Sequence, residues 1–209
     1  PPLAAACNEG KPLLLLYIIE PALLKDPHYR GRHWHFIAQS LKTMEHQLQA
    51  LGGRLWILEG DPVDVLATLH RAEPIDTVFS HEEIGLEITF ARDRQIGRWT
   101  QSHAINWQEF SSNGIQRGRK NRKGWNAAWN RKMAAAEDDP NLVDIARLSR
   151  SLPEALHGAI SQRYPRWGDQ HPNFQPGGEQ AARKTLDDFL TRRAGGYQRA
   201  ISKPELSRH

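Results

Sequence analysis

Between residues 111 and 136 the chain reads SSNGIQRGRKNRKGWNAAWNRKMAAA, in which Arg117, Arg119, Lys120, Arg122, Lys123, Arg131 and Lys132 are basic and no acid occurs. Trp125 and Trp129 stand four residues apart, which puts both rings on one face of a helix. Cations interleaved with flat rings suit a nucleic-acid strand, because phosphates are neutralised while rings stack on bases. The same pattern also describes a solvated charged loop whose two tryptophans anchor it by packing. Both readings stay open.

A second constellation runs through VFSHEEIGLEITFARDR at 78–94. Open parallel sheets bind ligands where a strand end runs into a helix, and His81, Glu82 and Glu83 fall at such an end, with Arg92 and Asp93 further along. Acids there either line a pocket or cap the following helix, whose amino-terminal dipole favours negative charge. Other chemistries find little footing. His28, His33 and His35 lie close together, but His33 and His35 are two apart and point to different sides of a helix. No cysteine or acid pair completes a zinc shell around them, so no metal site is expected. Ser80 and His81 are chain neighbours, G-x-S-x-G is absent, and Cys7 sits in a helical stretch, so no nucleophile or other catalytic residue is assigned. Neither G-x-G-x-x-G nor G-x-x-x-x-G-K-[ST] occurs. Gly52-Gly53 and Gly195-Gly196 stand at helix ends, where glycine caps.

The elements that must position these residues alternate along the first 110 positions. Apolar runs predict strands at 12–19, 54–59, 77–80 and 104–109. Between them, helical spacing predicts helices at 34–51, 62–71 and 86–101, the first with Phe36, Ile37, Leu41, Met44, Leu48 and Leu51 on one face. Asp61-Pro62 opens the second as an N-cap with proline in the first turn. This is an α/β pattern, a doubly wound parallel sheet with helices on both faces. After Phe110 the alternation is lost, and 111–175 reads as an interdomain linker, basic and then proline-containing. Pro176-Gly177-Gly178 breaks the chain, Glu179 begins a helix to 193 with Ala182, Leu186, Phe189 and Leu190 as its stripe, and Ala194-Gly195-Gly196 ends it. Tyr197 follows in a loop with Arg199, and Lys203-Pro204 bars an immediate new helix.

Composition bounds the answer. Of 209 residues, 39% are hydrophobic and 25% charged, as in an ordinary soluble protein. The apolar run LLLLYII has the length of a buried strand rather than of a membrane span. A single cysteine excludes an internal disulfide and fits a reducing, cytoplasmic home. A net charge of +4 favours anionic partners such as nucleic acid. The chain opens Pro-Pro-Leu-Ala with no basic-then-apolar leader, and it reads as cut at both ends.

The order GGE, A, L, FL, R, a tyrosine, and IS-x-P-x-x-SR over 177–208 resembles the passage by which DNA photolyases and cryptochromes enter their flavin-binding helical domain. Residues 114–129 are similar to the same family's G-V-x-R-x-x-K-N-R-x-G-W phrase with its second tryptophan, which lies between the two domains and looks mainly structural there. The resemblance implies three parts: an α/β domain at 1–110 truncated at its start, the linker at 111–175, and the beginning of the helical FAD-binding domain at 176–209. It places a first, central strand ahead of this chain, which would leave two half-sheets and a chain of low stability. It further implies a fragment of a deoxyribodipyrimidine photo-lyase, monomeric and without membrane contact. The full-length form would split pyrimidine dimers in DNA by a blue-light-driven electron from FAD, and the fragment alone would be inactive. An antenna chromophore is implied at the 81–94 strand end, although the folate-binding pattern is not met there. Tyr197 matches a tyrosine near the FAD phosphates, and equally reads as a loop aromatic covering a helix end. A flavin-binding cryptochrome photoreceptor without repair, and a free-standing domain binding a nucleotide or other anion, are the alternatives.

Overall fold

The computed structural model describes residues 1–136, 138, 140–156, 161–162 and 174–203. They fall into two compact units, one of residues 1–26 and 47–163, the other of 27–46 and 164–209.

In the first unit the apolar runs become β1 (Leu15–Ile19) and β2 (Leu55–Glu59), paired in parallel with Leu15 opposite Leu55 and Ile19 opposite Glu59. Strands buried on both faces read as unbroken apolar runs, and Leu55, Trp56, Ile57 and Leu58 are all buried. A second parallel pair joins β3 (Thr77–His81) to β4 (Asn106–Phe110), with Thr77 opposite Asn106 and His81 opposite Phe110. Among the described residues no ladder joins the two pairs. The described strands therefore form two separate sheets, as the family resemblance implies, rather than the one sheet that the alternating pattern predicts. Side chains still tie β1 to β3 at both ends. Lys11, ahead of β1, reaches Asp76, ahead of β3, at 3.4 Å, and Glu20, just after β1, binds Arg92 beyond β3.

Helices α1 (Pro2–Asn8), α2 (Pro21–Lys25), α3 (Gly31–Gln49), α4 (Pro62–Ala72) and α5 (Glu87–Ser102) alternate with these strands. The Asp61 carboxylate accepts from the Val63 and Asp64 amides at 2.9 and 3.3 Å, so the predicted cap opens α4. Helix α5 packs on β4, and α1 packs on β3 and on α7 (Leu142–Leu148). The intervening basic run forms α6 (Trp125–Ala134).

Part of the segment read as linker enters this core. Leu152 and Leu156 close a cluster with Trp56, Leu58, Val65 and Leu69, and α7 buries Ile145, Ala146 and Leu148. Trp56 Nε1 donates to the Arg150 carbonyl at 3.2 Å, and β5 (Ser161–Gln162) adds to β2 in antiparallel fashion. Two glycines make the approach of α7 possible. Gly52 closes α3 at φ +82°, and a Cβ on Gly53 would lie 2.8 Å from the Ala146 Cα.

In the second unit, Tyr29 stacks on Trp34 at 5.1 Å. The buried stripe along α3 as a whole runs through Trp34, Leu41, Glu45 and Leu48, while Phe36 and Met44 are exposed, as is Leu51 beyond the helix end. The apolar face is thus rotated from the predicted one, because Trp34 sets its line. The Gly177 and Gly178 amides donate to Gln39 Oε1 and Ser40 Oγ at 2.7 and 3.0 Å, seating the start of α8 (Glu179–Asp188) on α3. The chain then widens into a π turn over Phe189–Arg193, tightens into a 3₁₀ turn over Ala194–Gly196, and continues as α9 (Tyr197–Ala200). The predicted glycine stop is therefore a change of pitch, and Tyr197 opens a short helix instead of lying in a loop. Pro204 and the rest of the terminal phrase lie outside the described residues, as do 157–160 and 163–173 of the segment read as linker.

Candidate functional site

The carboxyl ends of β1, β3 and β4 gather five carboxylates around two arginines. Glu20 follows β1 directly. Glu82 and Glu83 follow β3, Glu109 lies in β4, and Asp93 sits on α5. Arg92, one residue earlier on α5, donates from Nη1 to Glu20 Oε1 at 2.5 Å, from Nη2 to Glu83 Oε2 at 3.0 Å, and from Nε to Asp93 Oδ1 at 2.9 Å. Arg117 grips Glu109 in bidentate fashion at 2.8 and 2.6 Å and stands 4.0 Å from both Glu82 and Asp93. The planar fork of the guanidinium makes such multiple pairing possible.

Burial dominates the protonation of the carboxyls. It pushes Glu20 and Asp93 above their ordinary values, outweighing the attraction of Arg92. Burial also works against the Arg92 charge, yet the facing Glu20 and Asp93 carboxylates prevail and hold that guanidinium more firmly protonated than usual. The pairing thus favours the arginine side, while the acid side carries the desolvation. Arg117, nearer the surface, is raised chiefly by its hydrogen bonds to Glu109.

The sequence singled out Glu82, Glu83, Arg92 and Asp93, and the structure brings all four together. They do not cap α5, whose N-cap Leu86 makes no side-chain cap bond. Glu83 Oε1 instead accepts from the Ile84 and Gly85 amides at 2.8 and 2.5 Å, fixing the turn ahead of the helix. His81 stays local, its Nδ1 3.2 Å from the Phe110 carbonyl. Glu20, Glu109 and Arg117 were not foreseen as members. The signal for Glu20 was present, an acid directly after a buried strand and before proline.

Beside this network a cleft of about 330 Å³ is lined by Glu82, Asn113, Gln116, Arg117, Ala128 and Lys132, among others. Its volume lies in the range of small-molecule sites. On α6, Trp125 and Trp129 stack with centroids 5.3 Å apart. Neither is buried, and α6 buries no residue at all.

The histidines highlighted by sequence make separate local bonds. His33 Nδ1 accepts from the Arg30 amide at 3.0 Å, and His35 Nε2 meets Gln39 Nε2 at 2.9 Å. Among the described residues no group of three or more His, Cys, Asp or Glu side chains is arranged to hold a metal ion. In the second unit, Tyr197 is 48% exposed, and its ring meets Phe189 edge-on at 5.4 Å. Its hydroxyl has no hydrogen-bond partner among the described residues.

The fold is an α/β module whose parallel strand pairs carry a polar network at their carboxyl ends, and its lineage is specific. The DNA photolyase family model matches residues 1–119, and the chain belongs to that family. Over 71 residues it is 31% identical to Cryptochrome-2 of Gallus gallus, a match covering 34% of this chain and 12% of that protein. The fold is similar to the cryptochrome of Synechocystis sp. PCC6803, with a TM-score of 0.67, 16% identity, and coverage of 97% of this chain and 45% of that one. It is also similar to an archaeal photolyase from Sulfolobus tokodaii, solved with two FAD molecules and implicating a novel light-harvesting cofactor. There the TM-score is 0.52 at 17% identity, covering 66% of this chain and 32% of the other. In each case the match spans less than half of the relative's length. No helix among the described residues is long and apolar enough to cross a membrane.

Proposed function

We propose that this chain is the α/β domain, linker and domain entry of a flavin-dependent deoxyribodipyrimidine photolyase acting on pyrimidine dimers in DNA. The observation that carries this reading is the family match over residues 1–119, joined to a photolyase neighbour that holds FAD. When bound, FAD supplies the light-driven electron that splits the cyclobutane ring. Tyr197 fits a part in holding that group. Its exposed phenol, without a hydrogen-bond partner among the described residues, can donate one hydrogen bond to a phosphate oxygen, while Phe189 meets the ring edge-on. The cleft at the ends of β3 and β4 is where we place an antenna chromophore, with the Arg92 and Arg117 networks holding its wall. These residues bind and orient. We assign the repair chemistry to the full-length, cytoplasmic protein and propose that this chain, which spans less than half the length of the relatives it matches, is inactive alone.

A cryptochrome photoreceptor without repair is the second reading, favoured by the likeness to Cryptochrome-2 and to the Synechocystis cryptochrome. One assay on the full-length protein separates the two. A photolyase removes thymine dimers from DNA under blue light and not in the dark. A flavin-loaded protein that leaves the dimers intact supports the photoreceptor. Tyr197→Phe should speed FAD release about 10- to 100-fold, as expected for one lost hydrogen bond to a charged oxygen. Unchanged release removes the tyrosine from the flavin site.

A further inference from the structure

The outer face of α6 and its preceding loop adjoins the cleft, but Lys120, Arg122, Lys123, Arg131, Trp125 and Trp129 belong neither to the strand-end network nor to the cleft lining. Seven cations and no acid lie in residues 111–136. Three of them hold the loop together. Arg117 is bound to Glu109, Arg119 donates to the Asn121 carbonyl at 2.7 Å and also to Gln116 and to the Lys123 carbonyl, and Lys132 donates to the Ser111 carbonyl at 3.2 Å. The other four, Lys120, Arg122, Lys123 and Arg131, are exposed and have no acidic partner among the described residues. Arg122 lies 5.9 Å from the Trp125 centroid.

The aromatic part is fixed in place by the Trp125–Trp129 stack and stays partly exposed. The Trp129 ring lies so close over Gly114 that a Cβ there would come within 2.0 Å of it, yet Trp129 is 38% exposed. Ile115 and Met133 beside it are 51% and 50% exposed. A solvated charged loop needs no such rings. Tryptophans serving only as anchors would be buried, and these are not. Four uncompensated cations call for a polyanion. A preset flat ring among them calls for one whose bases are free to stack, since a duplex keeps its bases paired and stacked on one another.

We propose that the α6 face binds a single polynucleotide strand, its phosphates on Lys120, Arg122, Lys123 and Arg131 and a base on Trp129. Phosphate neutralisation and stacking carry no base identity, so binding is sequence-independent.

The test uses fluorescence anisotropy with the 209-residue chain and a labelled oligothymidylate of about 15 nucleotides, long enough for one such site. It runs in the dark and without flavin, so its failure leaves the photolyase reading untouched. Binding should weaken with salt at a slope of about −3 in log K against log[salt], at ~0.7 per phosphate contact on a single strand. Replacing the four cations by glutamine should cut affinity at least tenfold and flatten that slope. These side chains are exposed, so the fold is kept. Trp129→Ala should cut affinity about 5- to 100-fold with the slope unchanged, in the range of one lost base stack. Trp129→Phe, which keeps a ring over Gly114, should restore most of it. No binding at low salt, equal or tighter binding of duplex DNA or of anionic lipid vesicles, or a Trp129→Ala chain that is folded and binds as before, each overturns the proposal.

Discussion

Replacing Arg92 by methionine would leave Glu20, Glu83 and Asp93 facing one another with only Arg117, 4.0 Å from Asp93, as countercharge. All three side chains are at most 19% exposed. Removing one partner from a buried ion network is strongly destabilising, and after discounting for the remaining solvent contact the expected cost is about 2–3 kcal/mol, read by urea unfolding. The pH dependence fixes the sign. Burial raises the Glu20 and Asp93 pKa in the folded state, so the fold binds protons that the unfolded chain has released. Their contribution is most favourable at acid pH, falls as pH rises through the ordinary carboxylate range, and levels off above the raised values. The deficit of Arg92→Met should therefore shrink between about pH 7 and pH 5. Glu20→Gln, which keeps an acceptor for Arg92 and cannot ionise, should flatten the wild-type dependence. A deficit that grows on acidification would show that the carboxyls are instead held ionised.

At the scale of elements, the contact between the end of α3 and α7 rests on one missing methyl group. A Cβ at Gly53 would meet backbone at 2.8 Å and the Ala146 Cβ at 3.0 Å, and neither can rotate away. Gly53→Ala should cost about 1–3 kcal/mol, the usual range for overpacking, and should expose the 141–150 stretch to limited proteolysis. Unchanged stability with an intact protease pattern would mean that α7 slides at no cost. The sequence marked Gly52-Gly53 as a cap, which accounts for Gly52 and its positive φ but not for Gly53. The strands and the three long helices of the first 110 residues were legible because both faces of a buried strand are apolar and Asp61 is an unambiguous cap, whereas the five-residue α2 was not predicted. The role of 142–156 was hidden. Ile145, Leu148, Leu152 and Leu156 have helical spacing, but Pro153 cuts the pattern, and only tertiary contact with Trp56 and Leu58 turns it into core. The site was half visible for a similar reason. Glu83 and Arg92 share a local stretch, whereas Glu20 joins them from 72 residues away in the chain.

For the molecule as a whole, the divided sheet sets the pattern of local stability. β2 has a neighbour on each side, β1 and β5, whereas β1 and β3 each have one among the described residues. A strand paired on one edge opens without breaking a second ladder, so average amide protection in β1 and β3 should fall below that of β2. Between β1 and β3 the ties are side chains. Lys11–Asp76 is exposed on both partners, and such pairs contribute about 0–1 kcal/mol. The Arg92 network is largely buried and supplies most of the coupling. Hydrogen exchange followed by mass spectrometry on Arg92→Met should therefore show faster exchange in β1 and β3 together, with β2 changed least, while Lys11→Ala leaves all three near the wild-type rates. If β1 and β3 respond independently, the two half-sheets are held by the α1 packing on β3 and β4, and the network at the strand ends serves the cleft alone.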